Sequence, residues 1–142
     1  MARVDIALQD GMHFQAVGED GVVVSLDSSS EHGGKSLGMR PMEMLLVALG
    51  SCTAMDIISI LRKKRQQVTD YRIEVSGEQA HGYPQVFTDI SLRHILTGID
   101  LSENAVVRAI ELSEEKYCPA YAMLSKAASI SSTYQIVSAP SD

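Results

Sequence analysis

The sequence predicts a single domain of the α+β class, and three observations support this. The chain has 142 residues, 45% of them hydrophobic, which is enough for one core. Segments with strand character come in consecutive runs, and helical segments stand between these runs instead of alternating with single strands. No internal repeat and no change of composition divides residues 1–142. The predicted order of elements is β-β-β-α-β-β-α-α-β.

The first part of the chain is expected to form three short strands and a long loop. Strands over residues 3–8, 13–17 and 22–26 are indicated by β-branched and apolar residues that flank two Asp-Gly turns. Residues 27–40 are polar and rich in glycine and serine, which predicts a mobile loop. Loops of this length in small domains are often functional.

A long apolar helix is predicted to begin at Pro41 and to run to about Gln67. Its apolar run is long enough to span a bilayer, but Glu43 and Asp56 would both be costly in lipid. A helix that is apolar on all sides must be covered on all sides, and a domain of this size cannot surround it alone. The sequence therefore predicts an intimate homodimer and no membrane.

The remainder of the chain is expected to contain three strands and two helices. Ser102 is a plausible N-cap for the first of these helices, and Cys118-Pro119 begins the second. The predicted elements are strands 71–80 and 86–96, helices 103–116 and 119–128, and a last strand over 129–138.

Charge and composition argue against nucleic-acid binding, secretion and a metal or other cofactor. The net charge is −6, and the only basic run, from Arg62 to Arg65, suits a solvated helix end, so nucleic acid is not an expected partner. The N-terminus lacks a charged and then apolar signal pattern, which predicts a cytoplasmic protein. The four histidines are scattered, and neither a metal site nor any other cofactor is predicted.

The two cysteines, Cys52 and Cys118, are the candidates for chemistry. They form no CxxC motif, and a permanent disulfide is not expected in the cytoplasm. Either they are inert buried residues, or they form a pair that is transiently oxidised. Pro119 places the Cys118 sulfur near a helix N-terminus, which stabilises a thiolate. Cys52 would gain the same benefit only if the long helix breaks at Gly50-Ser51.

Two segments, Arg40–Thr53 and Glu115–Pro119, each contain one of the cysteines, and both resemble cysteine segments of the OsmC/Ohr family of small bacterial thiol proteins. The first is Arg40–Thr53, with a proline, an acidic residue shortly after it, and a cysteine eleven positions after the proline. The second is Glu115–Pro119. The resemblance covers nearly the whole chain. The run from Cys52 to Asp56 is closer to the less characterised OsmC-like branch than to the organic hydroperoxide resistance proteins.

This resemblance implies an OsmC-like fold in which the long helix lies at the centre of an intertwined homodimer. It also implies a thiol-dependent peroxidase that acts on hydroperoxides, preferentially organic ones, in an antioxidant stress response. By the motif, Cys52 would attack the peroxide and Cys118 would then form a disulfide with it. An external dithiol, often a protein-bound lipoyl group in this family, would reduce the disulfide.

The acidic and basic partners of the reactive sulfur depart from the family pattern. The family glutamate lies ten positions before the cysteine, where this chain has Met42, and Glu43 lies nine before. Nine steps of about 100° would place Glu43 on the opposite face of a continuous helix. Glu43 is therefore either a catalytic residue or a helix-start carboxylate. Arg40 is the preferred cation, with Lys35 and Arg3 as alternatives.

Two other functions remain open at this point. One is a non-enzymatic dimeric protein that binds a small apolar ligand at its interface. The other is a metal-binding protein. Asp56 shares a helical face with Cys52, and a bare carboxylate there would raise the pKa of the thiol.

Overall fold

The computed structural model describes residues 1–140, and its elements follow the predicted order, so the α+β fold is confirmed. A 3₁₀ turn at Ser30–His32 and a π-helical turn at Ser113–Tyr117 are added to that order. Internal contacts divide the chain into two compact units, one over residues 1–45 and the other from Leu46 onward. The strands and helices are β1 (Asp5–Asp10), β2 (His13–Val17), β3 (Val23–Leu26), α1 (Pro41–Lys63), β4 (Gln67–Gln79), β5 (Phe87–Ile99), α2 (Glu103–Leu112), α3 (Pro119–Leu124) and β6 (Ser129–Ser138).

The first unit is built on the antiparallel sheet β1-β2-β3. Its apolar side chains remain largely in solvent: Ile6 is 59% exposed, Leu8 58% and Val23 51%. Every residue of β1 is exposed. Isolated small sheets need an apolar face packed against something else to be stable, so this sheet requires a cover.

The loop after β3 is organised by the carboxylate of Asp27, which is 3% exposed. It accepts hydrogen bonds from the backbone N–H groups of Ser28 (2.7 Å), Lys35 (3.2 Å) and Leu37 (3.1 Å). Burial opposes ionisation of this carboxyl, but the three donors outweigh burial and lower the pKa of Asp27. Glycine and serine content alone predicted a mobile loop and gave no indication of this arrangement.

The second unit is built on the sheet β4-β5-β6, in which β4 and β5 are antiparallel and β5 and β6 are parallel. Alternate residues of β5 are buried, among them Leu92, His94 and Leu96. This period of two marks a strand with one face in the core. The main cluster joins α1, β5 and α2, and its buried members are Ile57, Leu61, Leu96, Ala105, Val106, Ala109 and Ile110.

Helix α1 is continuous from Pro41 to Lys63 and has no break at Gly50-Ser51. Gly50 allows a close approach to β4, because a Cβ built there would lie 2.7 Å from a methyl group of Val75. The predicted end at about Gln67 was wrong by one turn. Arg65 adopts a left-handed φ of 58°, the N–H of Gln66 bonds to the Leu61 carbonyl, and the chain then enters β4.

The apolar surface of α1 is only partly covered within the described chain. Leu49, Ile57 and Leu61 are fully buried, whereas Met55 is 69% exposed and Val47 41%. By length and composition alone, α1 passes the test for a helix that crosses a membrane. Core helices of soluble proteins pass the same test, so this property alone leaves open what covers the exposed side.

A buried histidine in β5 predicts an acid-sensitive core. His94 is fully buried, its Nδ1 lies 2.6 Å from the hydroxyl of Tyr71, and its Nε2 has no hydrogen-bond partner among residues 1–140. Burial lowers the pKa of His94 from 6.5 to about 4. Above pH 6.5 the imidazole is neutral both folded and unfolded, so it has no effect on stability. Between pH 6.5 and 4 only the unfolded chain takes up the proton, and stability falls.

We therefore expect the free energy of unfolding to fall by about 2 kcal/mol from this group between pH 7.5 and 5. His94→Asn keeps an acceptor near Tyr71 but cannot titrate, so its unfolding free energy should show a shallower acid slope than that of the wild type. Urea unfolding at fixed protein concentration measures this slope. His81→Asn, at an exposed turn position, is the matched control and should keep the wild-type slope. Equal slopes for all three proteins would contradict the prediction.

Candidate functional site

The thiols of Cys52 and Cys118 are neighbours within one chain: Cys118 is among the groups that raise the pKa of the Cys52 thiol, and the hydroxyl of Thr53, the residue after Cys52, lies 3.5 Å from the Cys118 sulfur. Cys52 is half-buried in the middle of α1, and Cys118 is 3% exposed at the start of α3. Both are free thiols. The two residues approach because the chain from α2 through the π-helical turn brings Cys118 back to the face of α1 that carries Cys52.

The surroundings of Cys52 favour the neutral thiol. Burial raises the pKa of Cys52, as do the neighbouring Cys118 thiol and the charge of Asp56, and the backbone N–H of Ala120 acts in the opposite direction. Because α1 is continuous, Cys52 lies far from the N-terminus of its helix and gains no stabilisation from the dipole. The Ala120 N–H, from the first turn of α3, lowers the pKa of this thiol.

Cys118 is held more firmly than Cys52. It is the N-cap of α3, where its sulfur accepts a hydrogen bond from the N–H of Tyr121 at 3.3 Å and Pro119 fills the first helical position. The hydroxyl of Thr53 lies 3.5 Å from the same sulfur. Thr53 is fully buried and also donates to the Leu49 carbonyl at 2.8 Å. The motif indicated Cys118, but nothing in it indicated Thr53.

A second polar contact joins α1 to the segment that precedes α3. The hydroxyl of Ser113, which is fully buried, lies 3.0 Å from the carboxylate of Asp56. Ser113 begins the π-helical turn that ends at Tyr117, immediately before Cys118. Asp56 was noted in the sequence for its spacing from Cys52. Ser113 gave no signal, because a serine within a charged helical segment is ordinary.

The other two predicted site residues, Arg40 and Glu43, lie in the first unit. The guanidinium of Arg40 donates to the Gly38 carbonyl at 2.7 Å and to the Ser36 hydroxyl at 3.0 Å. The carboxylate of Glu43 accepts the backbone N–H of Arg40 at 3.0 Å, as expected for a carboxylate at a helix start. Of the alternative cations, Lys35 pairs with Asp10 at 3.4 Å.

Arg40 also borders a largely apolar cavity of about 440 Å³ in the first unit. The other lining residues are mainly apolar and include Ile6, Met12, Phe14 and Leu26. An apolar cavity that is bordered by the Arg40 guanidinium and the Asp27 carboxylate suits a small molecule with an apolar body and a polar end. Within residues 1–140, no group of three or more histidine, cysteine or acidic side chains is placed to hold a metal ion.

Comparison with known proteins defines the class. The profile of the family described as OsmC-like protein matches residues 32–133. The chain therefore belongs to the OsmC-like family. It is 41% identical over 130 residues to Protein YhfA of Escherichia coli K12, covering 92% of this chain and 94% of that protein.

Solved structures share the fold. A hypothetical protein from Aquifex aeolicus VF5 has a TM-score of 0.87 at 28% identity, over 99% of this chain and 98% of that one. An organic hydroperoxide resistance protein OsmC from Legionella pneumophila has a TM-score of 0.69 at 16% identity, over 98% and 97% of the two chains. At that identity, the second likeness concerns the fold alone.

Proposed function

We propose that this protein is a thiol peroxidase that reduces organic hydroperoxides through Cys52 and Cys118. The proximity of the two cysteines within one chain is the observation that carries the proposal: Cys118 is among the groups that raise the pKa of Cys52, and the Thr53 hydroxyl lies 3.5 Å from the Cys118 sulfur. The naming of a structural neighbour as an organic hydroperoxide resistance protein agrees with it. We further propose that the protein works in the cytoplasm, where thiols are kept reduced between turnovers.

The reaction begins with the more accessible sulfur. Cys52 is half-buried and Cys118 is buried, so a peroxide reaches Cys52 first. The thiolate of Cys52 attacks the terminal oxygen, the O–O bond breaks, and the alkoxide leaves as an alcohol after taking up a proton. The sulfur of Cys118 then attacks Cys52, the S–O bond breaks, and water leaves as the disulfide forms. An external dithiol, for example a protein-bound lipoyl group, returns two electrons and restores both thiols.

Activation of Cys52 needs a positive charge beside the sulfur, because its surroundings raise the pKa of the thiol. Arg40 stands at the start of α1 and Cys52 in its middle, so we propose that Arg40 from the second copy of the proposed homodimer supplies this charge. Glu43 would fix the backbone of that Arg40. The apolar cavity beside Arg40 would hold the organic part of the peroxide.

A homodimer completes the proposal. Met55 on α1 and Ile6 and Leu8 on β1 expose apolar surface that a monomeric soluble protein would rarely leave in water. A second copy that packs against α1 would bury the exposed side of this helix and make α1 the core of the assembly. A second copy of the chain would explain why α1 is apolar along most of its length, and no membrane is needed for that explanation.

Thiol counting tests the activity. Reduced protein is mixed with an excess of an alkyl hydroperoxide, and free thiols are then counted by mass after alkylation. We expect both thiols of each chain to be lost, and we expect Cys52→Ser to leave Cys118 unmodified, because the attacking sulfur is gone. Unchanged thiols in the wild type would reject the peroxidase.

The second candidate is a non-enzymatic dimeric protein that binds a small apolar ligand. The apolar cavity and the raised pKa of Cys52 favour it. Under this alternative, Cys52→Ser/Cys118→Ser would bind an alkyl alcohol probe as tightly as the wild type, and peroxide would leave both thiols intact.

A further inference from the structure

The hydrogen bond between Asp56 and Ser113 joins the middle of α1 to the turn that carries Cys118. The Ser113 hydroxyl lies 3.0 Å from the Asp56 carboxylate and 3.5 Å from the Thr53 carbonyl, so the carboxylate is its closer acceptor. Ser113 is fully buried. A buried hydroxyl bound to a carboxylate is a strong contact, and its loss leaves a polar group without a partner.

A backbone hydrogen bond links Ser113 directly to Cys118. The N–H of Cys118 donates to the Ser113 carbonyl at 2.8 Å, which closes the π-helical turn over Ser113–Tyr117. Such turns are rare and are frequently found at functional sites. Ser113 is therefore bound to α1 through its hydroxyl and to Cys118 through its carbonyl. Asp56 lies one helical turn after Cys52, so both ends of the contact stand next to a cysteine.

We propose that Asp56 and Ser113 are a positioning pair that holds Cys118 near Cys52 and so sets how readily the two sulfurs form a disulfide. The proposal rests on the proposed function for its role in turnover. The pair touches neither peroxide nor reductant. It acts on Cys118 by fixing the turn from which this residue projects.

Asp56 has a second effect that can be separated from the first. Its charge is one of the causes that raise the pKa of the Cys52 thiol. Asp56→Asn removes the charge but retains a carbonyl acceptor for the Ser113 hydroxyl. Ser113→Ala removes the hydrogen bond but retains the charge. Ser113→Ala therefore tests the effect of the hydrogen bond on the position of Cys118, and Asp56→Asn tests the effect of the charge on the pKa of Cys52.

The test uses thiol–disulfide exchange and no peroxide. Oxidised glutathione takes two electrons from the two thiols of the chain, giving the Cys52–Cys118 disulfide and two molecules of reduced glutathione. The equilibrium constant of this exchange reports the effective concentration of one cysteine at the other. We expect Ser113→Ala to lower it about tenfold, the factor that corresponds to the loss of one charge-assisted hydrogen bond. Ser59→Ala, at an exposed position of α1, is the matched control and should leave it unchanged.

Asp56→Asn should keep the equilibrium constant within about threefold of the wild type, because the hydrogen bond persists. In a Cys118→Ser background, the same substitution should shift the pH profile of Cys52 alkylation to lower pH, whereas Ser113→Ala should not. If Ser113→Ala does not fold, Asp56→Ala removes the contact from the other side and should show both effects.

Equal equilibrium constants for Ser113→Ala and Ser59→Ala would overturn the positioning pair, as would a wild type that forms no disulfide in any glutathione buffer. A wild type that forms the disulfide with glutathione but not with alkyl hydroperoxide would reject the peroxidase and leave the positioning pair intact.

Discussion

Replacing Cys118 by serine should stop the proposed reaction at the sulfenic acid of Cys52. Cys118 is the N-cap of α3 and is only 3% exposed, so a peroxide in solution reaches it poorly. It is close enough to Cys52 to attack that sulfur once it is oxidised. Serine preserves the N-cap that accepts the Tyr121 N–H, and the fold around the site should survive. The substitution therefore removes the second step alone.

The measurement is trapping with dimedone after one addition of alkyl hydroperoxide, without reductant. In the wild type the disulfide forms and little adduct should appear. In Cys118→Ser the adduct should approach one per chain, with one equivalent of alcohol released, because the sulfenic acid has no thiol to meet. Cys52→Ser should give neither product. Adduct on Cys118 in the Cys52→Ser variant would reverse the assignment of the two cysteines.

The order of the elements follows from local signals in the sequence. Pro41 begins α1 as expected, and Ser102 caps α2 by accepting the Ala105 N–H at 3.2 Å. These signals are properties of short segments, so they can be recognised in the sequence without knowledge of the tertiary structure. The end of α1 was misjudged because the basic residues there are good helix formers, and the left-handed conformation of Arg65 reflects the following β4 strand more than any local preference.

The site could be predicted only in part. The motif resemblance selected Cys52 and Cys118, but their separation along the chain gave no information on whether they meet. Ser113 and Thr53 were missed because their roles arise from packing between α1 and the turn before α3, and no spacing in the sequence encodes that contact. His94 was seen only as one of the scattered histidines, since burial in β5 depends on which face of the sheet α1 and α2 cover.

Replacing Met55 by glutamate should dissociate the proposed homodimer. Met55 is 69% exposed on the apolar helix α1, and in the dimer its side chain would lie in the subunit contact. Glutamate has a similar length and high helix propensity, so the monomer should fold normally. In the assembly, an unpaired carboxylate would have to leave water, which costs several kcal/mol. We expect the dissociation constant to rise at least about a hundredfold, equivalent to about 3 kcal/mol.

Sedimentation equilibrium across a range of protein concentrations measures this constant. Val86→Glu is the matched control, because Val86 is an apolar residue, 48% exposed, in the turn before β5 and outside α1. It should leave the dissociation constant unchanged. A wild type that is monomeric at high micromolar concentration, or a Met55→Glu variant as dimeric as the wild type, would mean that something other than a second copy covers α1. In that case, the apolar length of the helix would again require a membrane or a different protein as its explanation.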